Sequence, residues 1–172
     1  MFHRLLLAID SSPHSRAALD EAIDLARTNN ARLTIMTVVP DTPSWSLFGV
    51  MSAPVEPHLQ WEIEQAYQAV LDDAVEAVPA DIGVRTLLRR GIPGPAIADE
   101  AAAGDYDLVV MGSRGRGELR SLVLGSTSRH VLQHCSVPIL AVQAPGQTES
   151  PAMAGLSKQQ VPPSNAAAAL DG

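Results

Sequence analysis

The feature that most constrains the fold of this chain is a regular alternation between apolar runs and segments with helical spacing. Short runs rich in apolar residues lie at 5–9, 31–39, 83–90, 106–112 and 137–142. Between them, small and apolar residues recur with helical period in the segments 15–30, 59–78, 91–104 and 126–135. Strands that alternate with helices in this way predict a mostly parallel sheet with helices on both faces. We therefore expect an α/β fold built on five strands.

The composition of each run predicts where its strand lies in the sheet. Runs 5–9 and 106–112 are almost continuously apolar, which is typical of central strands that are buried on both faces. Run 83–90 alternates between apolar and charged residues, and Pro138 in the last run cannot donate a ladder hydrogen bond. The third and fifth strands are therefore expected at or near the sheet edges.

Capping residues mark the first helix. Ser11 and Ser12 are good N-cap residues, and Pro13 suits the first helical turn because its fixed φ is already helical. Asn29 and Asn30 follow the last residue of the helical period, and asparagine tolerates the left-handed conformation that often ends a helix. The sequence therefore predicts a helix between these two pairs.

Composition excludes several classes of protein. The formal charge is −7, whereas nucleic-acid binding needs a basic surface, so no nucleic-acid partner is expected. Cys135 is the single cysteine, which excludes an intrachain disulfide and a cysteine-rich zinc site. No stretch of apolar residues is long enough to cross a bilayer, and the amino-terminal run is too short for a signal peptide. These observations predict a cytoplasmic protein that does not interact with membranes.

The composition changes near the end of the chain. Residues 145–172 are rich in Pro, Ser, Gln, Gly and Ala and have no apolar period. A segment of this kind cannot bury enough apolar surface to fold by itself. We predict one domain at residues 1–144 and a disordered tail at 145–172.

The stretch MGSRGRGELRSLVLGSTS, residues 111–128, carries glycines at unequal spacing. Gly112 and Gly115 can adopt positive φ and let backbone amides approach an anion without a Cβ in the way. Gly125 and the following serine are expected to open a helix, whose free amides and dipole favour a phosphate. The side chains of Arg114 and Arg116 would add positive charge. A plain surface loop is the alternative interpretation.

Asp10 ends the first strand, as Gly112 ends the fourth. In a doubly wound sheet, ligands bind beyond the carboxyl ends of the strands at the point where the strand order reverses. If the first and fourth strands are neighbours, Asp10 and the glycine-rich stretch open into one crevice. The alternative is that Asp10 only caps the first helix. The stretch contains neither a P-loop nor a dinucleotide-binding fingerprint.

The glycine-rich stretch resembles that of the universal stress proteins, whose pattern is G-x2-G-x9-G-[ST]. The resemblance extends to RLLLAIDSSPHSRAALDEAIDLA, LTIMTVV, GIPGPAIADEAAAGDYDLVVMGSRG and VPILAV, and it covers residues 1–142. It implies a three-layer Rossmann-like sandwich, of the flavodoxin-like or adenine nucleotide alpha hydrolase-like type, with five parallel strands. It also implies a homodimer paired through the last strand, residues 137–142. Members that keep the glycine pattern form an ATP-binding branch.

Carried over residue by residue, the resemblance implies a nucleotide site without a catalytic set and without a protein-held metal. The adenine or ribose would contact Ala8, Ile9 and Asp10, with Val38 facing the adenine. The ribose and phosphates would be lined by Met111, Gly112, Ser113, Arg114 and Gly115, and the phosphate tail would be held by Gly125, Ser126, Thr127 and Ser128.

Three functions are compatible with these residues. The first is a regulatory ATP-binding module, with Mg²⁺ left open as a companion of the phosphates, that signals to a protein partner the sequence does not identify. The second is an enzyme that slowly hydrolyses ATP. The sequence offers no recognised arrangement of base, nucleophile and metal-binding carboxylates, which favours the first over the second. The third is a dimeric scaffold with an empty site.

Overall fold

The protein is described by a computed structural model. The structure describes residues 1–40, 57–115 and 124–145. Of the sequence-based predictions, those for Arg116 and for the tail beyond Pro145 lie outside these residues. The domain boundary at residue 144 therefore stays a prediction.

Strands and helices alternate along the whole described chain, as the sequence predicts. The strands are β1 (Arg4–Ala8), β2 (Arg32–Val39), β3 (Val84–Arg90), β4 (Leu108–Gly112) and β5 (Ile139–Val142). The helices are α1 (Pro13–Asn29), α2 (Pro57–Ala77), α3 (Pro93–Ala103) and α4 (Ser126–His134). Helix α2 begins two residues before the predicted start and ends one residue before the predicted end.

All five strands form one parallel sheet in the order β3-β2-β1-β4-β5. This confirms the predicted α/β fold, with β1 and β4 in the interior and β3 and β5 at the edges. From β1 the chain adds β2 and β3 on one side, and it then returns to add β4 and β5 on the other side. The strand order therefore reverses between β1 and β4, which is where an open α/β sheet binds ligands.

Helices cover both faces of the sheet, so the molecule has three layers. Leu5 and Leu7 of β1 belong to one apolar cluster with residues of α1 and α2, whereas Leu6 and Ala8 belong to a second cluster with residues of α3 and α4. Successive side chains of a strand point to opposite faces, and β1 is buried from Leu5 to Ala8 because both of its faces are covered.

The ends of α1 agree with the predicted caps. The hydroxyl oxygen of Ser12 accepts a hydrogen bond from the amide of Ser15 at 3.2 Å, and Pro13 occupies the first helical position. Asn30 adopts the left-handed conformation, with φ of 52°, and its amide donates to carbonyl groups of the last helical turn. Among the helices that the structure describes, none is both long enough and apolar enough to cross a membrane.

Candidate functional site

A crevice opens at the carboxyl ends of β1 and β4, where the strand order reverses. Its volume is about 280 Å³. The structure brings together there all of the predicted site residues except Ser113, namely Ala8, Ile9, Asp10, Val38, Met111, Gly112, Arg114, Gly115, Gly125, Ser126, Thr127 and Ser128. The two sequence motifs therefore share one crevice because β1 and β4 are paired, with Ala8 opposite Met111.

Asp10 orders the turn between β1 and α1 and also lines the crevice. Its Oδ1 accepts a hydrogen bond from the amide of Ser12 at 2.9 Å, and its own amide donates to the hydroxyl oxygen of Ser15 at 2.9 Å. The second carboxylate oxygen, Oδ2, lies against Gly115. The two interpretations of Asp10 are thus compatible, because one oxygen orders the turn and the other faces the glycine-rich stretch.

Gly112 and Gly115 do not use the positive φ that glycine permits. Among the glycines that the structure describes, only Gly91 has a positive φ, of 128°. The two glycines are required for space instead. A Cβ on Gly112 would lie 2.9 Å from backbone atoms of His14 and Ser15, and a Cβ on Gly115 would lie 2.9 Å from Oδ2 of Asp10. Glycine therefore allows the end of β4 to lie directly against the first turn of α1.

The amino-terminal end of α4 faces the crevice with amide groups that no acceptor of the described residues bonds. Gly125 is the N-cap residue, and its amide donates to the carbonyl oxygen of Ser113 at 2.8 Å. The first helical hydrogen bond runs from the amide of Arg129 to the carbonyl oxygen of Gly125 at 2.9 Å. No acceptor within the described part of the chain bonds the amides of the three intervening residues, 126–128. Three such donors at the positive end of the helix dipole favour an anion.

The hydroxyl of Ser128 has a structural role. It donates to the carbonyl oxygens of Gly112 and Ser113, at 2.9 and 3.1 Å, and the residue is buried. The prediction that Ser128 holds the phosphate tail therefore depends on its backbone amide and not on this hydroxyl. Ser113 is buried outside the lining, where its amide donates to the carbonyl oxygen of Val142 at 2.7 Å. Ser113 thus holds β4, β5 and α4 together.

The other end of the crevice is apolar, and several of its residues were missed by sequence reasoning. Besides Ala8, Val38 and Met111, the lining includes Ser15 and four larger residues on three different elements or turns, namely Met36, Tyr67, Pro93 and Ile97. Met36 was detectable in principle, since it pairs with Ala8 across the β1–β2 ladder. The others come from helices that cross the crevice, and no local pattern marks them.

The charge of the crevice is unevenly distributed. Arg114 lines it, and the carbonyl oxygen of Arg114 lies 3.4 Å from the hydroxyl of Ser12. Asp10 is the single carboxylate among the described lining residues. The described part of the chain contains no cluster of three or more metal-ligating side chains. The site can therefore hold an apolar ring at one end and an anion at the other.

Comparison with known proteins gives the same family that the glycine-rich stretch resembles. The model of the universal stress protein family matches residues 1–143. The universal stress protein YxiE of Bacillus subtilis is 32% identical over 148 residues, which cover 83% of this chain and all of the relative.

Solved structures agree in fold. The universal stress protein UspA from Lactobacillus plantarum superposes with a TM-score of 0.63 at 27% identity, covering 81% of this chain and 97% of that chain. A universal stress protein family member from Arabidopsis thaliana, solved with AMP bound, superposes with a TM-score of 0.58 at 14% identity, covering 84% and 93% of the two chains. With the glycine pattern and the five-stranded parallel sheet, these matches show that the chain belongs to the universal stress protein family.

Proposed function

We propose that the crevice binds an adenine nucleotide. The observation that carries the proposal is the pairing of an apolar end, at β1 and β2, with three unpaired amides at the start of α4. An adenine ring needs a flat apolar contact, and a phosphate needs donors and positive potential. The Arabidopsis relative with AMP bound supports this choice of ligand, since it has the same fold.

Within the adenine nucleotides we propose ATP as the natural ligand. The chain keeps the complete glycine pattern, and Arg114 adds a cation beside the amides of α4. Asp10 supplies one carboxylate in the same crevice, and Mg²⁺ is commonly held by one or two carboxylates together with phosphate oxygens. The residues present therefore suit a Mg²⁺ ion that arrives with the triphosphate.

The nucleotide would act as a signal in a dimer rather than as a substrate. Strand β5 lies at the sheet edge and its four residues are only half-buried. An edge strand of this kind presents unpaired backbone groups that a second copy can cover. We therefore retain residues 137–142 as the proposed dimer contact, with a protein partner still to be found. The proposed compartment remains the cytoplasm.

Titration calorimetry with ATP, ADP and AMP tests the nucleotide site. The Gly115→Val variant should lose at least about 100-fold in affinity for each ligand that binds, because the new side chain displaces the carboxylate of Asp10 and fills the approach to the amides. The fold should persist, since the displaced group is the end of a side chain. Gly83→Ala is the matched control, because its Cβ would meet nothing closer than 3.9 Å. Equal affinities in the wild type and Gly115→Val would contradict the site.

Two further measurements separate the binding module from the alternatives. Phosphate release from ATP should remain below about 1 s⁻¹, the low end for ordinary enzymes, and faster turnover would favour an ATPase. Light scattering should give the mass of a dimer. If no adenine nucleotide binds to the wild-type protein, the empty scaffold becomes the better description.

A further inference from the structure

A second cavity lies at the opposite edge of the sheet, where the strands begin. Its volume is about 720 Å³. The amino-terminal ends of β1, β2 and β3 and the turn between α3 and β4 line it, together with Arg89 near the other end of β3 and Glu100 of α3. Four arginines belong to this lining, namely Arg4, Arg32, Arg85 and Arg89. The nucleotide proposal does not use any of these residues.

Two of the four arginines have their charges balanced by carboxylates. Arg4 pairs with Asp105 at 3.1 Å, and Arg89 pairs with Glu100 through two nitrogens at 2.6 and 3.1 Å. For Arg32 and Arg85, no acidic side chain of the described chain lies within ion-pair distance. The described lining residues therefore carry two positive charges in excess, with four arginines against Glu100 and Asp105, on a chain whose formal charge is −7.

The unbalanced arginines lie beside hydroxyl groups. Arg85 is directly opposite Thr34 in the β2–β3 ladder, so their side chains share one face of the sheet. The hydroxyl of Tyr106 donates to Oε1 of Glu100 at 3.0 Å. Burial raises the pKa of Tyr106 above its ordinary value. Glu100 is thus engaged on both oxygens, by Arg89 and by Tyr106, and it is not available to neutralise Arg85.

The carboxyl-terminal end of α3 also borders this cavity, at Ala103 and Gly104. A helix end of this polarity carries about half a negative charge, which offsets only part of the excess of two. Guanidinium groups present parallel N–H donors that match the oxygens of a phosphate. The volume lies within the range of small-molecule sites.

We propose that this cavity binds a small anion of the phosphate class, with Arg32 and Arg85 as its principal ligands. The site is separate from the nucleotide crevice, since the described linings of the two have no residue in common.

Inorganic pyrophosphate is the probe, used with the full-length protein labelled with ¹⁵N. Pyrophosphate should shift the amide resonances of Thr34, Arg85 and Tyr106. The double variant Arg32→Gln, Arg85→Gln should weaken its binding by about tenfold or more at these resonances, because two charge-assisted contacts are lost. Arg16→Gln, at an exposed position on α1, is the matched control and should leave the affinity unchanged.

The same experiment distinguishes this site from the nucleotide crevice. In Gly115→Val, pyrophosphate should still shift the resonances of Arg85 and Tyr106, even if shifts at Ser126 are lost. The double variant should bind AMP with the same affinity as the wild type. If the nucleotide proposal fails, neither the double variant nor the wild type should bind AMP. Shifts confined to Ser126 and its neighbours, or unchanged affinity at Arg85 in the double variant, would overturn the proposal. Equal binding of an oligoglutamate peptide would also overturn it, because the cavity would then be a general acidic-peptide surface.

Discussion

The two edges of this sheet are built in different ways. At the carboxyl edge, β4 lies directly against α1, and buried hydrogen bonds from Ser128 and Ser113 join β4 to its neighbours. At the amino edge, exposed arginines and carboxylates form pairs such as Arg4–Asp105, and cations remain in excess. The carboxyl edge offers fixed amide groups, whereas the amino edge offers charged side chains on long stems.

This difference predicts how each edge responds to change. Close packing of backbone leaves no room for an added atom, so substitutions at the carboxyl edge should be costly. Exposed ion pairs contribute little to stability and are screened by salt, so substitutions at the amino edge should be mild and sensitive to conditions. Three stability predictions test this contrast, and the expected effects decrease from one to the next.

The largest loss of stability is expected for Gly112→Ala. The added Cβ would lie 2.9 Å from backbone atoms of His14 and Ser15, which cannot move without shifting α1. We expect the free energy of unfolding to fall by about 2–3 kcal/mol, as for overpacked cores, measured by urea denaturation. In the control Gly83→Ala, at the amino edge, stability should stay equal or rise by a few tenths of a kcal/mol. Equal stability of Gly112→Ala and wild type would remove the packing argument for this edge.

A smaller loss is expected for Ser128→Ala. The variant removes a buried donor that bonds the carbonyl oxygens of Gly112 and Ser113. Leaving such groups without this donor costs about 1–2 kcal/mol, which the same denaturation assay would detect. Ser126→Ala is the control, because Ser126 is exposed in the same helical turn. It should change the free energy of unfolding by less than about 0.5 kcal/mol. If both variants lose the same free energy of unfolding, the loss comes from any serine substitution at this helix end and not from the buried hydrogen bonds of Ser128.

The smallest effect, and the one that depends on pH, is expected for Asp107→Asn at the amino edge. The amides of His3 and Arg4 donate to Oδ2 of Asp107 at 2.6 and 2.9 Å, and these bonds hold the pKa of the carboxyl below its usual range. A lowered pKa in the folded state stabilises the fold above the ordinary value of about 3.9, and the contribution is lost as pH falls through the folded pKa. Asp107→Asn should therefore be less stable than wild type at pH 7.

The deficit of Asp107→Asn should narrow as the pH falls below about 4, because the wild-type carboxyl then becomes protonated as well. Unfolding free energies at pH 7, 5, 4 and 3 would measure this trend. Asp24→Asn, at an exposed position on α1, is the control. A deficit that stays constant across this pH range would show that the charge of Asp107 is not what stabilises this edge.

Much of the fold was predictable because the determining signals are local. Ser12 and Asn30 mark the ends of α1 through side-chain and left-handed capping geometry, which depends on neighbouring residues alone. The alternation of apolar and charged residues in β3 indicates its edge position, because the burial of a strand can be predicted from its own residues without knowing its partners. The glycine-rich stretch indicated a crevice because its pattern also lies within one continuous segment of the sequence.

Other parts of the site were not predictable from local sequence. Tyr67 and Ile97 line the crevice from α2 and α3, and their positions depend on how these helices cross the sheet. The close approach of Gly112 to α1 was not predicted, because its neighbour in space, His14, is nearly a hundred positions away in the chain. Ser128 was predicted to hold a phosphate, and the sequence did not indicate that its hydroxyl donates to the carbonyl oxygens of Gly112 and Ser113.

The order of apolar runs, helical segments and capping residues by itself determined a parallel α/β sheet with a glycine-rich connection after its fourth strand. The tertiary structure alone decided three things. It decided whether that connection meets Asp10, which glycines have no room for a side chain, and where arginines from separate strands come together. The physical reason is that a strand or a cap is stabilised by residues close in sequence, whereas contact between elements depends on strand order. Pairing of β1 with β4 formed the crevice, and pairing of β2 with β3 brought Thr34 and Arg85 together at the other edge.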